Sequence, residues 1–388
     1  MPHPIAASPE AVGVDPGKLE DLFARAEREV REGRLPSVQI AVARDGKLAG
    51  RRSFGTVTHE GRPAAATDET LYVVFSCTKA ITSSAVWLLL EEGKLSLEER
   101  VADVIPEFAS EGKQAITVEQ LLTHTAGIPR APYRQRDWDW TRLPEVFARW
   151  RLNWEPGSRY EYHHTSGMWV LAALVQARTG MDFREFVRTR IAEPLGLPDL
   201  RMGLPRALHG RLADLVHVGR ERTPEEFAAV GLPVPPASEV TEEAIGGFND
   251  ARVREIGVPG GGATATAADL ALFYQALLAG GAGVWQPETI AEVRRIRNPA
   301  FVDPLFGRPA NRGLGVVVAG GPEKVFLGFG KDCSAEAFGH LGVGGQIGWG
   351  DPATGLSLGF CTNGVERDPV VLGRRTAAIA NRAAACAL

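Results

Sequence analysis

The sequence lacks the residue patterns that bind metals, nucleotides or nucleic acids. Its four cysteines (Cys77, Cys333, Cys361 and Cys386) have no CxxC spacing, and no cluster of His, Cys and Asp is spaced like metal ligands. No glycine-rich phosphate loop has its lysine in place, and no Lys/Arg block interrupts a chain of net charge −4. We therefore expect no cofactor, no metal and no nucleic-acid partner, and free thiols in a reducing cytoplasm.

Long apolar runs are also missing. The stretch 80–90 is too short to cross a bilayer and is typical of a buried helix. The N-terminus has no basic region followed by an apolar run, so the sequence predicts no signal peptide. We expect a cytoplasmic protein without a membrane partner; the sequence does not predict its oligomeric state.

The order of the predicted elements indicates an α+β fold for the 388 residues. Asp15-Pro16 predicts the start of a first helix, and a capping box from Thr117 to Gln120 predicts the start of another. Asp45-Gly46 predicts a two-residue turn between antiparallel strands. Helices in the middle and strands near the end argue against a parallel βαβ array. We expect an antiparallel sheet with flanking helices from residues 1–104 and 264–388, and an inserted, mostly helical lobe from residues 105–263 with a lid-like region at 203–260.

Two strand pairs are predicted in the last quarter of the chain. Residues 314–319 and 325–328 flank a Gly-Gly-Pro turn, and residues 345–349 and 356–362 flank a turn that begins at Asp351. A final helix is predicted over about residues 368–385.

What the sequence does contain is a serine and a lysine three positions apart at the start of an apolar helix. Lys79 is the only charged residue between Glu69 and Glu91. Residues i and i+3 share one helix face, so Ser76 and Lys79 would lie side by side. A serine nucleophile needs a base within reach, and a lysine becomes one when burial or a nearby cation lowers its pKa. The alternative is that Ser76 only caps the helix and Lys79 is solvated.

A second serine lies in a motif that competes for the role of nucleophile. Gly355-Leu-Ser357-Leu-Gly359 matches G-x-S-x-G, which requires a strand before the serine and a helix directly after it. Here a turn precedes the serine and apolar alternation continues beyond it. We therefore expect Ser357 to lie within a strand and to have no catalytic role.

Four stretches together resemble one known family. They are Ser76-Cys-Thr-Lys79, Leu121-Leu-Thr-His-Thr-Ala-Gly-Ile-Pro129, Tyr162-His-His164 in the place of Tyr-x-Asn, and His340-Leu-Gly342 in the place of Lys-Thr-Gly. In this order they resemble the serine β-lactamase and penicillin-binding-protein superfamily, in its class C-like branch with the family VIII carboxylesterases. The resemblance runs from about residue 15 to the end, except near 203–260, and implies a β-lactamase-like fold.

The resemblance also implies roles for individual residues. Ser76 would be the nucleophile, with Lys79 and Tyr162 as a coupled base, and the amides of Ser76 and Val343 would hold the oxyanion on an edge strand. Candidate substrate-binding residues are His164, His340 and Gly342. Trp138 and Trp140 are further candidates because of their polar loop: an exposed pair there would line an acyl pocket, and core packing is the alternative. The alternative to a role in substrate binding is that His163 and His164 are only packed or solvated residues. His124 is expected to be structural.

We therefore expect a serine carboxylesterase that acts on short-chain or small esters through an acyl-enzyme. Position 340 has a histidine where β-lactamases usually have a lysine, whose positive charge helps to bind the carboxylate of a β-lactam. Without that lysine, we expect neutral esters to be favoured as substrates. The alternatives within the fold are an amide hydrolase (D-amino-acid peptidase, amidase or weak β-lactamase) and an acyl transferase. A non-catalytic binding protein of the same fold is the alternative from another class.

Overall fold

The computed structural model describes residues 3–133, 137–235, 240–304 and 307–388. Its α-helices are α1 (Pro16–Arg31), α2 (Thr78–Glu91), α3 (Val101–Val104), α4 (Val118–Leu122), α5 (Leu143–Ala148), α6 (Ser166–Thr179), α7 (Phe183–Val187), α8 (Pro224–Ala229), α9 (Glu242–Gly246), α10 (Ala251–Ile256), α11 (Ala267–Leu278), α12 (Pro287–Arg294) and α13 (Pro369–Ala384). Its strands are β1 (Ser37–Arg44), β2 (Lys47–His59), β3 (Arg62–Ala65), β4 (Tyr72–Val73), β5 (Arg201–Met202), β6 (Val216–Val218), β7 (Ala263–Ala265), β8 (Val302–Asp303), β9 (Arg308–Pro309), β10 (Val317–Val318), β11 (Phe338–Leu341), β12 (Ile347–Gly350), β13 (Ser357–Cys361) and β14 (Gly364–Glu366).

The central feature is an antiparallel sheet built from both ends of the chain. Its order is β10-β11-β12-β13-β1-β2-β3, so the C-terminal strand β13 pairs with the N-terminal strand β1. The predicted turn between β1 and β2 is confirmed: Asp45 and Gly46 both have positive φ, at 52° and 72°, as a two-residue hairpin turn requires. The predicted α+β class is confirmed.

Helices cover the two faces of this sheet. Alternate residues of β1 point to opposite sides: Val38, Ile40 and Val42 pack with α1 and α13, while Ala41 and Ala43 pack on the side of α11. The small residues on the α11 side let that helix come close. A side chain at Gly359 would collide with the backbone of α11.

The capping residues expected from the sequence define where several helices begin. Asp15 accepts a hydrogen bond from the Lys18 amide at 3.0 Å, with Pro16 in the first helical position of α1. Thr117 and Gln120 form a reciprocal capping box at the start of α4. These local signals fixed the helix starts to within a residue or two.

Residues 105–263 contribute mainly helices in their described parts. Strand β5 pairs with β7 (Arg201 opposite Thr264), β6 runs parallel to β14, and Leu212 forms a bridge with Leu71, so this segment is tied to both sheet-forming segments. The region 203–260 contains short helices and β6. The division into two lobes stays a prediction. Among the described residues, no helix combines the length and the apolar character that crossing a bilayer requires.

One predicted strand pair is wrong and the other is confirmed. Residues 322–327 form a 3₁₀ helix, and β10 pairs with β11 instead (Val318 opposite Phe338). Pro322 suits the first turn of a helix, and Phe326 is exposed, so this apolar run has no strand partner. The pairing of β12 with β13 is as predicted.

Candidate active site

The candidate nucleophile lies at a strained turn between strand β4 and helix α2. The predicted helix start is displaced: Phe75–Cys77 forms a 3₁₀ turn, and the α-helix begins at Thr78. Phe75 has a φ of 44°, an unusual conformation for a bulky residue. From Thr70 to Leu89 every residue is buried except Ser76, which is half-buried. The turn therefore presents this one hydroxyl to solvent.

Lys79 is fully buried beneath the Ser76 hydroxyl. Its Nζ lies 3.2 Å from Ser76 Oγ and 2.8 Å from each of two backbone carbonyl oxygens, those of His164 and Gly260. Its exposed fraction is 0%. Burial, together with the positive charge of Arg312, holds the pKa of Lys79 well below its usual value. Both effects favour the neutral amine over the ammonium ion.

Tyr162 stands beside Ser76 and Lys79 with a free phenol. Among the described residues its buried hydroxyl has no hydrogen-bond partner, and Lys79 Nζ lies 4.8 Å from the centre of its ring. Burial raises the pKa of Tyr162 to about 12, although Arg312 and the nearby Ser76 side chain oppose this effect. The phenol is thus protonated and available to donate to a ligand.

His164 contacts this group differently from the expectation. Its backbone carbonyl, not its side chain, accepts the hydrogen bond from Lys79. Its ring stands edge-on to the Tyr162 ring, with centroids 5.1 Å apart. Burial, and then the Lys79 charge, lower the pKa of His164 to about 4. The neighbouring His163 bonds backbone groups through both ring nitrogens, which is a packing role.

His124 was expected to be structural, and the structure places it behind the candidate catalytic tyrosine. The centroids of the His124 and Tyr162 rings are 4.7 Å apart. Its Nδ1 accepts a hydrogen bond from the His163 amide at 3.2 Å, and its φ is 59°. His124 thus supports the rear face of the Tyr162 ring.

Arg312 is the residue that sequence reasoning missed. Its Nε donates to the Tyr160 hydroxyl at 2.9 Å, and a terminal nitrogen lies 3.4 Å from His340 Nε2. His340 Nδ1 donates to the Leu341 carbonyl, which leaves Nε2 as the acceptor. Position 340 carries no lysine cation, as the sequence indicates, but Arg312 supplies a cation beside it. No motif marks this arginine in the sequence.

Gly342 and Val343 bring a second backbone segment to the nucleophile. Val343 lies in the turn between β11 and β12, not on the expected edge strand, since β10 is the edge. Cys77 Sγ donates to the His340 carbonyl at 3.2 Å, which ties β11 to the Ser76 turn. In the described part of the chain, the amides of Ser76 and Val343 have no acceptor. Their role as the two oxyanion donors stays a prediction.

Replacing Gly342 with alanine should impair catalysis. The added Cβ would lie 2.9 Å from the Val74 carbonyl oxygen and would also meet the Gln346 side chain, so the turn that holds Val343 must shift. Loss of one oxyanion donor costs about 10²-fold in kcat. We expect Gly342→Ala to lower kcat for a p-nitrophenyl ester by about 10- to 100-fold. Gly373→Ala is the control, because nothing lies within 4 Å of its Cβ position; equal kcat values in the two variants would contradict the prediction.

The two tryptophans predicted to line an acyl pocket are not an exposed pair. Trp138 is 6% exposed and packs on Trp169 and Phe248, and Trp140 packs on Trp169 and Phe183. Phe248, which sequence reasoning did not single out, contacts Phe75 with ring centroids 5.4 Å apart. The region 203–260 therefore contributes an aromatic side chain that contacts the residue before Ser76.

Ser357 lies in β13, as predicted, and has a structural role. It is fully buried, and its Oγ donates to the Ala271 carbonyl at 2.8 Å and accepts from Gln275 at 2.9 Å. No metal-binding group of three or more His, Cys, Asp or Glu residues occurs among the residues that the structure describes.

Comparison with known proteins gives consistent findings. A family model described as Beta-lactamase matches residues 23–382. Esterase EstB from Burkholderia gladioli is 30% identical over 380 residues, which cover 92% of this chain and 93% of that protein. The structure of a penicillin-binding protein homolog from Caulobacter crescentus matches with a TM-score of 0.78 at 27% identity, covering 96% of this chain and 99% of that one. A family VIII carboxylesterase structure matches with a TM-score of 0.76 at 27% identity, covering 96% and 98% of the two chains.

Proposed function

Because the chain belongs to the Beta-lactamase family of serine hydrolases, we propose that it is a carboxylesterase that cleaves small esters through an acyl-enzyme on Ser76. The contact that carries the proposal is Lys79 Nζ at 3.2 Å from Ser76 Oγ, with two carbonyl oxygens at 2.8 Å. Carbonyls only accept, so they take both N–H bonds of the neutral amine. The remaining lone pair then faces the Ser76 hydroxyl and acts as its base.

Acylation follows from this orientation. Ser76 Oγ attacks the ester carbonyl carbon while its proton moves to Lys79 Nζ. The oxygen of the tetrahedral intermediate accepts from the free amides of Ser76 and Val343. The C–O bond to the alcohol then breaks.

Tyr162 supplies the proton that the leaving alkoxide needs. A phenol with a pKa of about 12 is protonated at neutral pH, and its hydroxyl has no partner among the described residues. It donates to the alkoxide, and the Lys79 ammonium restores its proton. Deacylation reverses these steps, with water in the place of the alcohol.

Support for ester substrates comes from the relatives. Two of the three proteins compared above are an esterase and a carboxylesterase, each matched over more than nine-tenths of both chains.

A cytoplasmic location stays part of the proposal, in keeping with four cysteines that are all free and buried.

A second candidate function is hydrolysis of an amide or β-lactam that carries a carboxylate. The observation that favours it is Arg312, a cation beside the histidine that stands in the place of the family's lysine. The likeness to a penicillin-binding protein homolog points the same way. This candidate uses the same Ser76, Lys79 and Tyr162.

Parallel assays separate the two functions. We expect kcat/KM for p-nitrophenyl acetate or butyrate to exceed that for nitrocefin and for a peptide ending in D-Ala-D-Ala by at least about 100-fold, which corresponds to about 2.7 kcal/mol of transition-state discrimination. Faster cleavage of nitrocefin or of the peptide would overturn the esterase proposal in favour of the second candidate. Failure of an alkyl fluorophosphonate to label Ser76 would overturn both.

A further inference from the structure

Arg312 differs from the other buried arginines in having no acidic partner. Arg25, Arg254 and Arg375 are each at least nine-tenths buried, and each pairs with a carboxylate. Arg312 is 7% exposed, and no described carboxylate oxygen lies within the 4.0 Å of an ion pair. Asp303 influences Arg312 electrostatically without forming such a pair. A buried charge without a directly paired counter-ion is costly, so a charge that persists there needs a reason.

Neutral groups hold the guanidinium in place. Its Nε donates to Tyr160 at 2.9 Å, and a terminal nitrogen lies 3.4 Å from His340 Nε2. Its backbone amide donates to Asn298 Oδ1 at 2.9 Å, which anchors the segment from which it projects. These contacts orient the side chain without neutralising its charge.

The guanidinium faces the catalytic tyrosine. Its central carbon lies 5.1 Å from the centre of the Tyr162 ring and 5.6 Å from that of Tyr160. Lys79 Nζ lies 4.8 Å from the centre of the same Tyr162 ring. The permanently charged guanidinium of Arg312 and the titratable amine of Lys79 therefore face the same phenol, that of Tyr162.

From this arrangement we infer that Arg312 is a positioning residue whose fixed charge keeps Lys79 unprotonated and Tyr162 reactive at neutral pH. The inference rests on the proposed roles of Lys79 and Tyr162 in activating Ser76, and not on which acyl group the enzyme takes.

Electrostatics gives the direction of the effect. A cation near Lys79 disfavours its ammonium form, and a cation near Tyr162 favours its phenolate, so Arg312 lowers the pKa of both groups. Asp303 acts in the opposite sense on Tyr162, while the surrounding histidines are held neutral by burial. The titratable and charged groups that face this cluster are Cys77, Lys79, His124, Tyr160, Tyr162, His163, His164, Asp303, Arg312 and His340.

The test is the pH dependence of kcat/KM for a neutral p-nitrophenyl ester in Arg312→Met, Arg312→Gln and Arg312→Lys. Arg312 and Lys79 lie 5.1 Å and 4.8 Å from the centre of the same Tyr162 ring, so their charges are at most about 10 Å apart. At that separation in a partly buried site, one charge shifts the pKa of the other by about one unit. We expect the acid limb to move up by at least about one pH unit in the Met and Gln variants, with activity recovering toward the wild-type value at high pH. Arg312→Lys keeps the charge and should move the limb by less than half as much.

Two controls keep the outcome interpretable. Thermal unfolding of each variant identifies any that misfolds. If one of the two uncharged variants misfolds, the other is enough for the comparison with Arg312→Lys. The rate of Ser76 labelling by a fluorophosphonate reports the same ionisation without requiring an ester substrate, so a wrong substrate assignment leaves this readout intact.

The contrary outcomes are distinct. If kcat/KM falls by the same factor at every pH and the acid limb does not shift, Arg312 has a purely structural role and the inference is overturned. An unchanged ester profile with a selective loss of cleavage of the D-Ala-D-Ala peptide would also overturn it, and would make the guanidinium a carboxylate receptor.

Discussion

Ser76→Ala should reduce turnover of a p-nitrophenyl ester by about 10⁴- to 10⁶-fold, because the acyl-enzyme cannot form without the hydroxyl. Ser76 is the one residue in the buried stretch from Thr70 to Leu89 that reaches solvent, so the change removes no core packing. Steady-state kinetics and the far-UV spectrum of the purified variant check this result. The melting temperature should stay within a few degrees of that of the wild type.

Ser357→Ala is the matched control for the second serine motif. Ser357 is fully buried and bonds Ala271 and Gln275. Its loss should lower the free energy of unfolding by about 1 kcal/mol and leave kcat/KM within about 2-fold. Activity that survives in Ser76→Ala but disappears in Ser357→Ala would refute the assignment of the nucleophile.

Lys79→Met should be the second most damaging change, with a loss of at least about 10³-fold in kcat. Methionine fills similar space but has no lone pair to accept the Ser76 proton, and it leaves the His164 and Gly260 carbonyls without their donor. Two unpaired buried carbonyls should lower the free energy of unfolding by about 1–3 kcal/mol. Kinetics and chemical denaturation measure the two effects separately.

The chain offers a matched lysine for this experiment. Lys113 is also fully buried, and its Nζ donates to the Ser110 carbonyl, the Ser110 hydroxyl and the Trp150 carbonyl. Lys113→Met should lose similar stability and keep its kcat. If both variants lose activity to the same extent, destabilisation and not the missing base explains the effect of Lys79→Met.

Local signals in the sequence predicted much of the fold. Three features depend only on residues that are close in the sequence, so a local pattern is enough to predict them. They are the Asp45-Gly46 turn, the Thr117 capping box and the β12–β13 pair. Residues 325–328 were predicted as a strand from their apolar character and from the Gly-Gly-Pro turn before them. Their 3₁₀ helix follows from Pro322 and from the pairing of β10 with the distant β11, which no local pattern records.

The candidate site was predictable only where motifs mark it. Spacing at Ser76 and Lys79 indicates their proximity, and a resemblance brought in Tyr162. Arg312 reaches the site through tertiary contacts with Tyr160 and His340, and one arginine among many carries no such signal. Phe248 was hidden for the same reason, since its contact with Phe75 joins segments far apart in the chain.

The place of β13 between β12 and β1 has a consequence for synthesis on the ribosome. The β1–β2 hairpin ends at His59, yet the strand that pairs with the other side of β1 begins only at Ser357 and is translated much later. Until then the nascent chain holds an unpaired edge of apolar residues, which is a site for aggregation or chaperone binding. The high sequence separation of this contact also predicts slow closure of the sheet. Chains truncated before residue 357 should therefore remain incompletely folded, however well their N-terminal hairpin forms.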